Sequence, residues 1–392
     1  MQSMLNLAPA DFAGLRYPCS CGRTHGVDIQ KILIESGCIV KLPEVIRELG
    51  GKHVFILADN NTYAVCGEQV EALLSENGIT HHSRVFVSET PLVPNEYAVG
   101  SALAAMEMED DMILAIGSGT LNDTARLLSA RTRLPYVIVA TAPSMDGFAS
   151  TVSPLILDGM KITIPAVYPV AIVADTAIMK DAPMPMLTAG FGDIIGKYTA
   201  LADWRLARDI NGEYYCNEVV ELVEKAVEKC AANAAGLCVR DEEAVKAVTE
   251  ALILSGIAIG LVGVSRPASG AEHHFSHYWE VIALQNGEEH PLHGNSVGVA
   301  AVISASLYEL AKDELPENFV LPDKAHIIAC QNAADACVDP KALGITKELF
   351  HESVLHAMEI RERYTILRFL DHKGLLPAFA DILTERFYGE TV

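Results

Sequence analysis

Basic residues are scarce in this 392-residue chain, which has 29 Lys and Arg against 51 Asp and Glu and a formal net charge of −22. So acidic a surface repels the phosphates of nucleic acids and anionic lipids, and we expect neither nucleic acid nor a membrane as a partner. An anionic substrate would therefore need a local group of cations. Hydrophobic residues make up 50% of the chain, which provides enough apolar material for buried cores and excludes a disordered protein.

The chain also lacks a regular framework of paired cysteines. Its nine cysteines are an odd number and lie far apart, which is typical of free thiols in a reducing compartment. One group near the N-terminus, Cys19, Cys21 and His25, has a spacing that metal sites use. It supplies only three soft ligands, without a second pair nearby, so an ordinary buried segment is the preferred interpretation and a metal site is the alternative.

Export and membrane signals are missing as well. The first residues show no basic start followed by an apolar core, so we expect no signal peptide. The longest apolar run, 251–264, is too short to span a bilayer and is interrupted by Ser255, Gly256 and Gly260. We interpret it as a buried helix and predict a cytoplasmic protein.

The first half of the sequence alternates short apolar runs with amphipathic stretches. This alternation predicts a parallel sheet with right-handed crossovers. The predicted strands are 53–58, 84–88, 112–117 and 135–140, and the predicted helices between them are 68–74, 96–106 and 121–130. Two further apolar segments, near 155–157 and 170–173, are predicted to add edge strands.

After about residue 181 the hydrophobic period becomes helical. The helical stretches are 217–235, 242–263, 297–311 and 348–370. Pro183, Pro185 and the glycines at 190 and 192 mark the boundary that precedes them. A chain of this length exceeds the size of one core. The sequence therefore predicts a parallel-sheet domain over 1–180 and an all-helical domain over 181–392.

A glycine-rich turn follows the third predicted strand. Gly117, Ser118, Gly119 and Thr120 lead directly into a helix, where backbone N–H groups can approach a diphosphate closely. A plain tight turn is an equally open interpretation. Asp59 ends the first strand, where an acidic side chain can bind ribose hydroxyls, although a turn role is also open.

The loop after the fourth strand carries three polar side chains, Thr141, Ser144 and Asp146. A loop at the carboxyl end of a central parallel strand is a common position for ligand binding. From the residues alone, a turn or capping role for Asp146 remains the simpler interpretation.

The helical half carries a possible metal site. Asp193 is followed one helical turn later by Lys197, and His273 and His277 share one face of a predicted helix. His293 lies twenty residues after His273, just before another predicted helix. One carboxylate and two imidazoles often hold a catalytic divalent ion, but each residue taken alone could equally be structural.

Five sequence blocks follow one another between residues 117 and 300: GSGTLND, TAPSMDGFAS, GFGDIIGKY, SRPASGAEHHFSH and HPLHGNSVGVA. Together they resemble the iron-containing alcohol dehydrogenase superfamily. They are most similar to its bacterial branch that acts on glycerol 1-phosphate, as are CSCGRTHG and RERYTIL. The resemblance implies a dehydroquinate synthase-like fold, with a Rossmann-like domain before an all-helical domain. It also implies NAD or NADP and one divalent ion (zinc, nickel or iron) in the cleft between them.

The resemblance also implies roles for individual residues. The metal ligands would be Asp193, His273 and His293, with His277 beside them in the cleft. The cofactor-binding residues would be Asp59, Gly117, Ser118, Gly119, Thr120, Asp123, Thr141 and Ser144. Asp146 would lie near the substrate hydroxyls. One departure concerns Lys197, which replaces the third histidine of some alcohol-specific members and indicates a substrate anion nearby. His274, next to His273, leaves open which of the two faces the metal.

The implied activity is the reversible reduction of dihydroxyacetone phosphate with NAD(P)H, with His277 or Asp146 relaying the proton. Candidates for binding the phosphate are Lys197, Arg266 and Ser269, although a structural role for Arg266 is equally open. A glycerol dehydrogenase acting on an unphosphorylated polyol is the nearest alternative. A sugar-phosphate cyclase of the dehydroquinate synthase type is a more distant one, since it needs more basic residues around its phosphate. A homo-oligomer is typical of the superfamily.

Overall fold

The structure, a computed structural model, describes residues 3–389. The strands are β1 (Arg16–Pro18), β2 (Thr24–Gly26), β3 (Lys31–Glu35), β4 (His53–Asp59), β5 (Thr80–Phe86), β6 (Met112–Gly117), β7 (Tyr136–Ala140), β8 (Val152–Leu157), β9 (Met160–Pro165) and β10 (Ala171–Asp175). The helices up to the end of the sheet region are α1 (Leu42–Glu48), α2 (Asn60–Thr62), α3 (Glu68–Glu76), α4 (Glu96–Ala105), α5 (Gly119–Thr132) and α6 (Thr176–Met179).

The remaining described chain is helical. Its helices are α7 (Met184–Ile195), α8 (Lys197–Asn211), α9 (Asn217–Ala232), α10 (Ala234–Cys238), α11 (Glu242–Val262), α12 (Ala271–Asn286), α13 (His293–Leu310), α14 (Lys324–Ala333), α15 (Lys347–His356), α16 (Ile366–His372) and α17 (Leu376–Tyr388). The change from strands to helices thus occurs between Asp175 and Met184, and the exact domain boundary at 180 remains a prediction.

Six strands form a parallel sheet in the order β3-β10-β7-β6-β4-β5. The central strands β6, β7 and β10 are buried along their whole length, as expected for a parallel sheet covered on both faces. The chain steps from β4 outward to β5 and then back across β4 to β6. The carboxyl ends of β4 and β6 therefore flank a topological switch point, where such sheets bind ligands.

Two predictions for the sheet were wrong. The segment near 170–173, predicted as an edge strand, is β10 and lies inside the sheet between β3 and β7. The true edge strand, β3, was not predicted, because its flanking charges and mostly half-buried pattern hide it. The segment near 155–157 is β8, which pairs antiparallel with β9 in a separate hairpin instead of joining the sheet.

One described helix, Glu242–Val262, is long and apolar enough to cross a membrane, but 72% of its most apolar window is buried inside the protein. It is the central helix of the second half and packs against α7 and α9. The prediction that 251–264 belongs to a buried helix is therefore confirmed, although the helix begins earlier, at Glu242. The predicted stretch 348–370 breaks into α15 and α16, with an irregular turn at 361–365 between them.

The N-terminal hairpin of β1 and β2 does not join the main sheet. Tyr17 donates a hydrogen bond from its hydroxyl to Glu218 Oε2 at 2.6 Å, and His25 Nδ1 lies 2.6 Å from the carbonyl oxygen of Leu261. The hairpin therefore packs on α9 and α11, although it precedes the sheet in sequence.

Candidate active site

The predicted cofactor residues lie along one edge of the parallel sheet. Leu57 of β4 pairs with Ala115 of β6, which puts Asp59 level with Gly117. Gly117 in turn pairs with Ala140 of β7, so Thr141 begins beside the glycine turn. The ends of three neighbouring strands thus bring together residues that are far apart in sequence.

The glycine turn and the loop after β7 are tied to each other. Ser118 Oγ lies 2.6 Å from Ser144 Oγ and donates a hydrogen bond to the carbonyl oxygen of Ala142 at 3.1 Å. A Cβ atom at Gly117 would meet a carbon of Leu121 at 2.5 Å, so this position requires glycine. The two segments therefore form one rigid surface next to the first turn of α5, where N–H groups favour a phosphate.

Two acidic residues in the predicted cofactor set have structural contacts in this structure. Asp59 caps α2 by accepting a hydrogen bond from the Thr62 N–H at 2.8 Å. Asp123 forms an ion pair with the buried Arg126 at 2.5 Å, and burial raises the pKa of Asp123 to about 6. These contacts support the turn interpretation of Asp59. The cofactor roles of both residues remain predictions.

The predicted metal ligands converge. One ligand atom each from Asp193, His273 and His293 lies within 4.8 Å of the others, and the ring centroids of the two histidines are 5.2 Å apart. The three side chains come from α7, α12 and the first residue of α13. His274 points elsewhere, with both ring nitrogens buried and without a hydrogen-bond partner among residues 3–389. The convergence therefore favours His273 as the ligand.

Glycines allow the ligand-bearing helices to approach so closely. A Cβ atom at Gly192 would meet the carbonyl oxygen of Gly294 at 2.4 Å, and one at Gly294 would meet the carbonyl oxygen of Ala189 at 1.8 Å. Helices α7 and α13 therefore pack backbone against backbone. This contact places Asp193, next to one glycine, opposite His293, next to the other.

Both imidazoles are held in the orientation that a metal ligand needs. His273 Nδ1 lies 2.8 Å from Glu272 Oε1, and His293 Nδ1 lies 3.2 Å from Ser276 Oγ. These contacts leave each Nε2 free to bind an ion, as second-shell partners of metal-bound histidines do. Burial lowers the pKa of both imidazoles, which keeps them in the neutral form that binds metals.

We expect Glu272→Gln to weaken metal binding by about 10–100-fold, the usual effect of removing a second-shell carboxylate. The loss of negative charge makes the His273 imidazole less basic, while the size of the side chain is preserved. Competition with a chelator would measure the affinity. Ser304→Ala serves as the control, because it changes a buried side chain on the neighbouring helix α13, and it should have no effect on metal binding. Equal affinity in both variants would contradict the proposed orientation.

A buried group of three charges connects the two halves of the protein. Lys197 Nζ lies 2.6 Å from Asp193 Oδ1 and 2.9 Å from Asp146 Oδ2. Burial alone would lower the pKa of Lys197, but the two carboxylates raise it above its usual value. Burial likewise opposes ionisation of Asp146, and the Lys197 ammonium nevertheless holds its pKa below the usual value. These contacts favour a charge-balancing role for Lys197, and its contact with substrate remains a prediction.

The sequence analysis missed two charged residues in the same cleft. Lys161, on β9, forms an ion pair with Glu280 of α12, and its Nζ lies 3.5 Å from His277 Nδ1. The hairpin of β8 and β9 thus brings a cation next to the neighbouring imidazoles of His273, His277 and His293. Glu280 offers a second ligand set with His277 and His293, also within 4.8 Å of one another. The Asp193 set has the stronger support, because both of its imidazoles are oriented by second-shell partners.

The predicted phosphate ligands have different surroundings. Arg266 binds Glu213 through Nε at 2.6 Å and the carbonyl oxygen of Tyr364 through Nη1 at 2.7 Å. Most of its donors are therefore used, which supports the structural alternative. Ser269 Oγ is buried and has no partner among residues 3–389. Its role in substrate binding remains a prediction.

Arg361 is a cation that the sequence analysis did not propose. It lies in the irregular turn between α15 and α16 and is half-buried. Burial is the main cause of the lowered pKa of His273 and of His277, and the charge of Arg361 contributes to both shifts. Within residues 3–389, no hydrogen bond or ion pair engages its guanidinium. It is therefore available to bind an anion.

The donor chemistry fits a divalent ion, because a buried carboxylate and two neutral, oriented imidazoles leave further positions for an oxygen ligand. The sheet edge, with its glycine turn and helix N-terminus, fits a dinucleotide. Fold and site together define a metal-dependent nicotinamide dehydrogenase, in which the cofactor half and the metal half meet at Asp146.

Comparison with known proteins identifies the family. The family model described as iron-containing alcohol dehydrogenase matches residues 33–183. The chain is 34% identical over 375 residues to the glycerol-1-phosphate dehydrogenase [NAD(P)+] of Halalkalibacterium halodurans, covering 89% of this chain and 94% of that protein. It is 35% identical to the protein of that name from Bacillus velezensis, over 89% and 93% of the two chains. The maleylacetate reductase structure from Agrobacterium tumefaciens shares the fold, with a TM-score of 0.70, 16% identity and coverage of 94% and 99%.

The chain belongs to the iron-containing alcohol dehydrogenase family. The predicted fold class is confirmed, and the predicted cofactors, NAD(P) and a divalent metal ion, follow from the family. The individual ligand and cofactor residues remain predictions that the geometry supports.

Proposed function

We propose that this protein is an NAD(P)-dependent glycerol-1-phosphate dehydrogenase that reversibly reduces dihydroxyacetone phosphate to sn-glycerol 1-phosphate. Its relatives from Halalkalibacterium and Bacillus carry that name and match over most of their length. The observation that carries the proposal is the convergence of Asp193, His273 and His293. A cation without a partner among residues 3–389, Arg361, contributes to the lowered pKa of His273, after burial. The three converging residues would hold a divalent ion that binds the carbonyl oxygen of the substrate. The Arg361 guanidinium would bind its phosphate.

When bound, the divalent ion supplies Lewis-acid stabilisation of negative charge on the substrate oxygen, and the dinucleotide supplies the hydride. Asp193, His273 and His293 would hold the ion, and a substrate carbonyl bound there would be oriented for hydride transfer from one side. Asp146 lies where the two halves meet, because its N–H donates a hydrogen bond to Asp193 and its carboxylate contacts Lys197.

His277 is our candidate for moving the proton. Its Nδ1 faces Lys161 and Glu280, while no hydrogen bond within the described chain uses its Nε2. Burial and the nearby Lys161 lower its pKa, so that the imidazole is neutral. Neutral His277 would accept the proton of the substrate hydroxyl in the oxidation, and the imidazolium that forms in this way would return the proton readily in the reduction. Asp146, engaged by Lys197 and by the Ser255 hydroxyl at 2.9 Å, would orient the substrate hydroxyls instead.

We propose Arg361 as the main phosphate ligand, assisted by Lys161. Lys161 Nζ lies 3.5 Å from His277 Nδ1, and the charge of Arg361 contributes to the lowered pKa of His277, after burial, in a protein whose net charge is −22. An arginine can hold a phosphate through two parallel hydrogen bonds. Lys161 would then give up part of its contact with Glu280 and bind the substrate phosphate instead.

An assay of NADH and NADPH oxidation with dihydroxyacetone phosphate and with dihydroxyacetone, with and without added metals, tests the proposal. The phosphorylated substrate should be strongly preferred, and chiral analysis should find sn-glycerol 1-phosphate. A preference for dihydroxyacetone or glycerol would identify a polyol dehydrogenase instead. Release of inorganic phosphate without net NADH oxidation would identify a sugar-phosphate cyclase.

Arg361→Gln should raise the KM for dihydroxyacetone phosphate by about 10–100-fold, since a hydrogen bond to a charged group contributes about 1.5–3 kcal/mol. The KM for dihydroxyacetone should not change, because that substrate lacks the phosphate. Arg131→Gln, at the exposed far end of α5, is the matched control. An equal change for both substrates would show that Arg361 does not contact the phosphate.

The partner of this enzyme is a small-molecule substrate. We further propose a cytoplasmic homo-oligomer that binds neither nucleic acid nor membranes. The acidic surface supports the absence of polyanionic partners.

A further inference from the structure

A second group of metal-ligand side chains lies outside the active site. It contains Cys19, Cys21 and His25 of the N-terminal hairpin, together with Cys216, the residue before α9. One ligand atom of each lies within 4.8 Å of all the others. Cys216 is the fourth soft ligand that the sequence analysis could not find, because it is nearly two hundred residues away.

We infer that Cys19, Cys21, His25 and Cys216 form a structural zinc site that fastens the N-terminal hairpin to the helical half. Three thiolates and one imidazole are a common ligand set for closed, tetrahedral zinc. The residues do not contribute to the proposed reaction, so this inference stands independently of the function.

The distances match a tetrahedral site. Ligand atoms at zinc bond lengths of about 2.0–2.3 Å lie about 3.5–3.8 Å apart along the edges of a tetrahedron. Here Cys19 Sγ is 3.6 Å from Cys216 Sγ, and His25 Nε2 is 3.4 Å from Cys21 Sγ and 3.5 Å from Cys216 Sγ. Side chains in these positions need little movement to bind one ion.

The surrounding contacts orient the ligands. His25 Nδ1 lies 2.6 Å from the carbonyl oxygen of Leu261, to which it donates its proton, so that Nε2 carries the free lone pair. The Tyr214 hydroxyl lies 3.1 Å from Cys21 Sγ and can donate a hydrogen bond to a thiolate there. His25 is almost fully buried, at 1% exposure, which excludes solvent from that side of the group.

One cation lies close enough to offset part of the negative charge of the group. Three thiolates and one zinc ion carry one net negative charge, and the Arg23 guanidinium lies 3.4 Å above the Tyr214 ring beside them. Cys19 Sγ is 3.3 Å from Glu218 Oε1 and would lose its proton on binding zinc. Glu218 would keep its hydrogen bonds from Tyr17 and from the Ser20 N–H and hydroxyl.

Metal analysis of the purified full-length protein, prepared under reducing conditions, tests the site. We expect one equivalent of tightly bound zinc per chain beyond the metal of the active site. Cys21→Ser should lose this equivalent and keep the active-site ion, whereas Cys238→Ser, which changes an exposed thiol, should keep both. Retention of all zinc by Cys21→Ser would overturn the inference.

A second measurement does not depend on the folding of a variant. Replacement of the bound metal by Co²⁺ in the unaltered protein should give the intense thiolate-to-cobalt charge-transfer bands of a sulfur-rich tetrahedral site. The oxygen and nitrogen ligands of the active site cannot produce these bands. Their absence, or a Cys19–Cys216 disulfide found by mass spectrometry in place of the metal, would overturn the inference.

Discussion

His293→Ala should remove the active-site metal and reduce turnover by about a thousandfold or more. Lewis-acid stabilisation contributes several kcal/mol to the transition state, and each 1.36 kcal/mol corresponds to a factor of ten. The variant should still bind NADH, because the glycine turn at Gly117 and the loop at Ser144 lie on the other half of the protein. Metal analysis, steady-state rates and titration of NADH fluorescence measure the three quantities.

Two further variants decide which ligand set His293 belongs to, since it is common to both. Asp193→Asn should lose the metal, whereas Glu280→Gln should retain it. The reverse result would move the ion to His277, Glu280 and His293. Normal turnover in His293→Ala would remove the metal assignment altogether.

The candidate metal ligands Asp193, His273 and His293 were proposed because each lies in a block that resembles the family. Their convergence depends on packing that the blocks do not describe, such as the backbone contact between Gly192 and Gly294. Lys161 was missed because no local pattern marks it, and Arg361 was missed because the resemblance of the RERYTIL block assigned it no role. One reaches the cleft on a separate hairpin, and the other lies where a predicted continuous helix breaks.

The strands of the sheet also differ in how well the sequence alone predicts them. Buried strands such as β6 and β7 are continuous apolar runs, so their positions were predicted closely. Strand β3 is a half-exposed edge, and only pairing with β10 makes it a strand. Cys216 gives no signal of its own as a ligand. Only the fold brings it to Cys19 and His25, which is why the sequence alone showed three soft ligands there and favoured an ordinary buried segment.

Lys197→Met should reduce the free energy of unfolding of the metal-free protein by ~3–5 kcal/mol, the usual cost of breaking a buried ion pair. Lys197 is fully buried and is the ammonium that balances Asp146 and Asp193. Without it, two carboxylates remain close together in a site that already raises the pKa of Asp193 by burial and by the charge of Asp146. Denaturant unfolding measures the loss. Lys373→Met, which breaks an exposed pair with Glu314, is the control and should cost less than about 1 kcal/mol.

The loss of unfolding free energy in Lys197→Met should be smaller whenever another charge or a proton neutralises the carboxylates of Asp146 and Asp193. A bound divalent ion supplies positive charge at Asp193, so the variant should lose less stability with metal than after chelation. The loss should also shrink as the pH falls from neutrality, because a carboxyl group whose folded-state pKa is raised binds a proton more readily in the folded protein. Adding Asp146→Asn should recover part of the stability, and the double-mutant comparison isolates this pair. If the loss were the same at every pH, with and without metal and with Asp146→Asn, Lys197 would be stabilising the protein through packing alone.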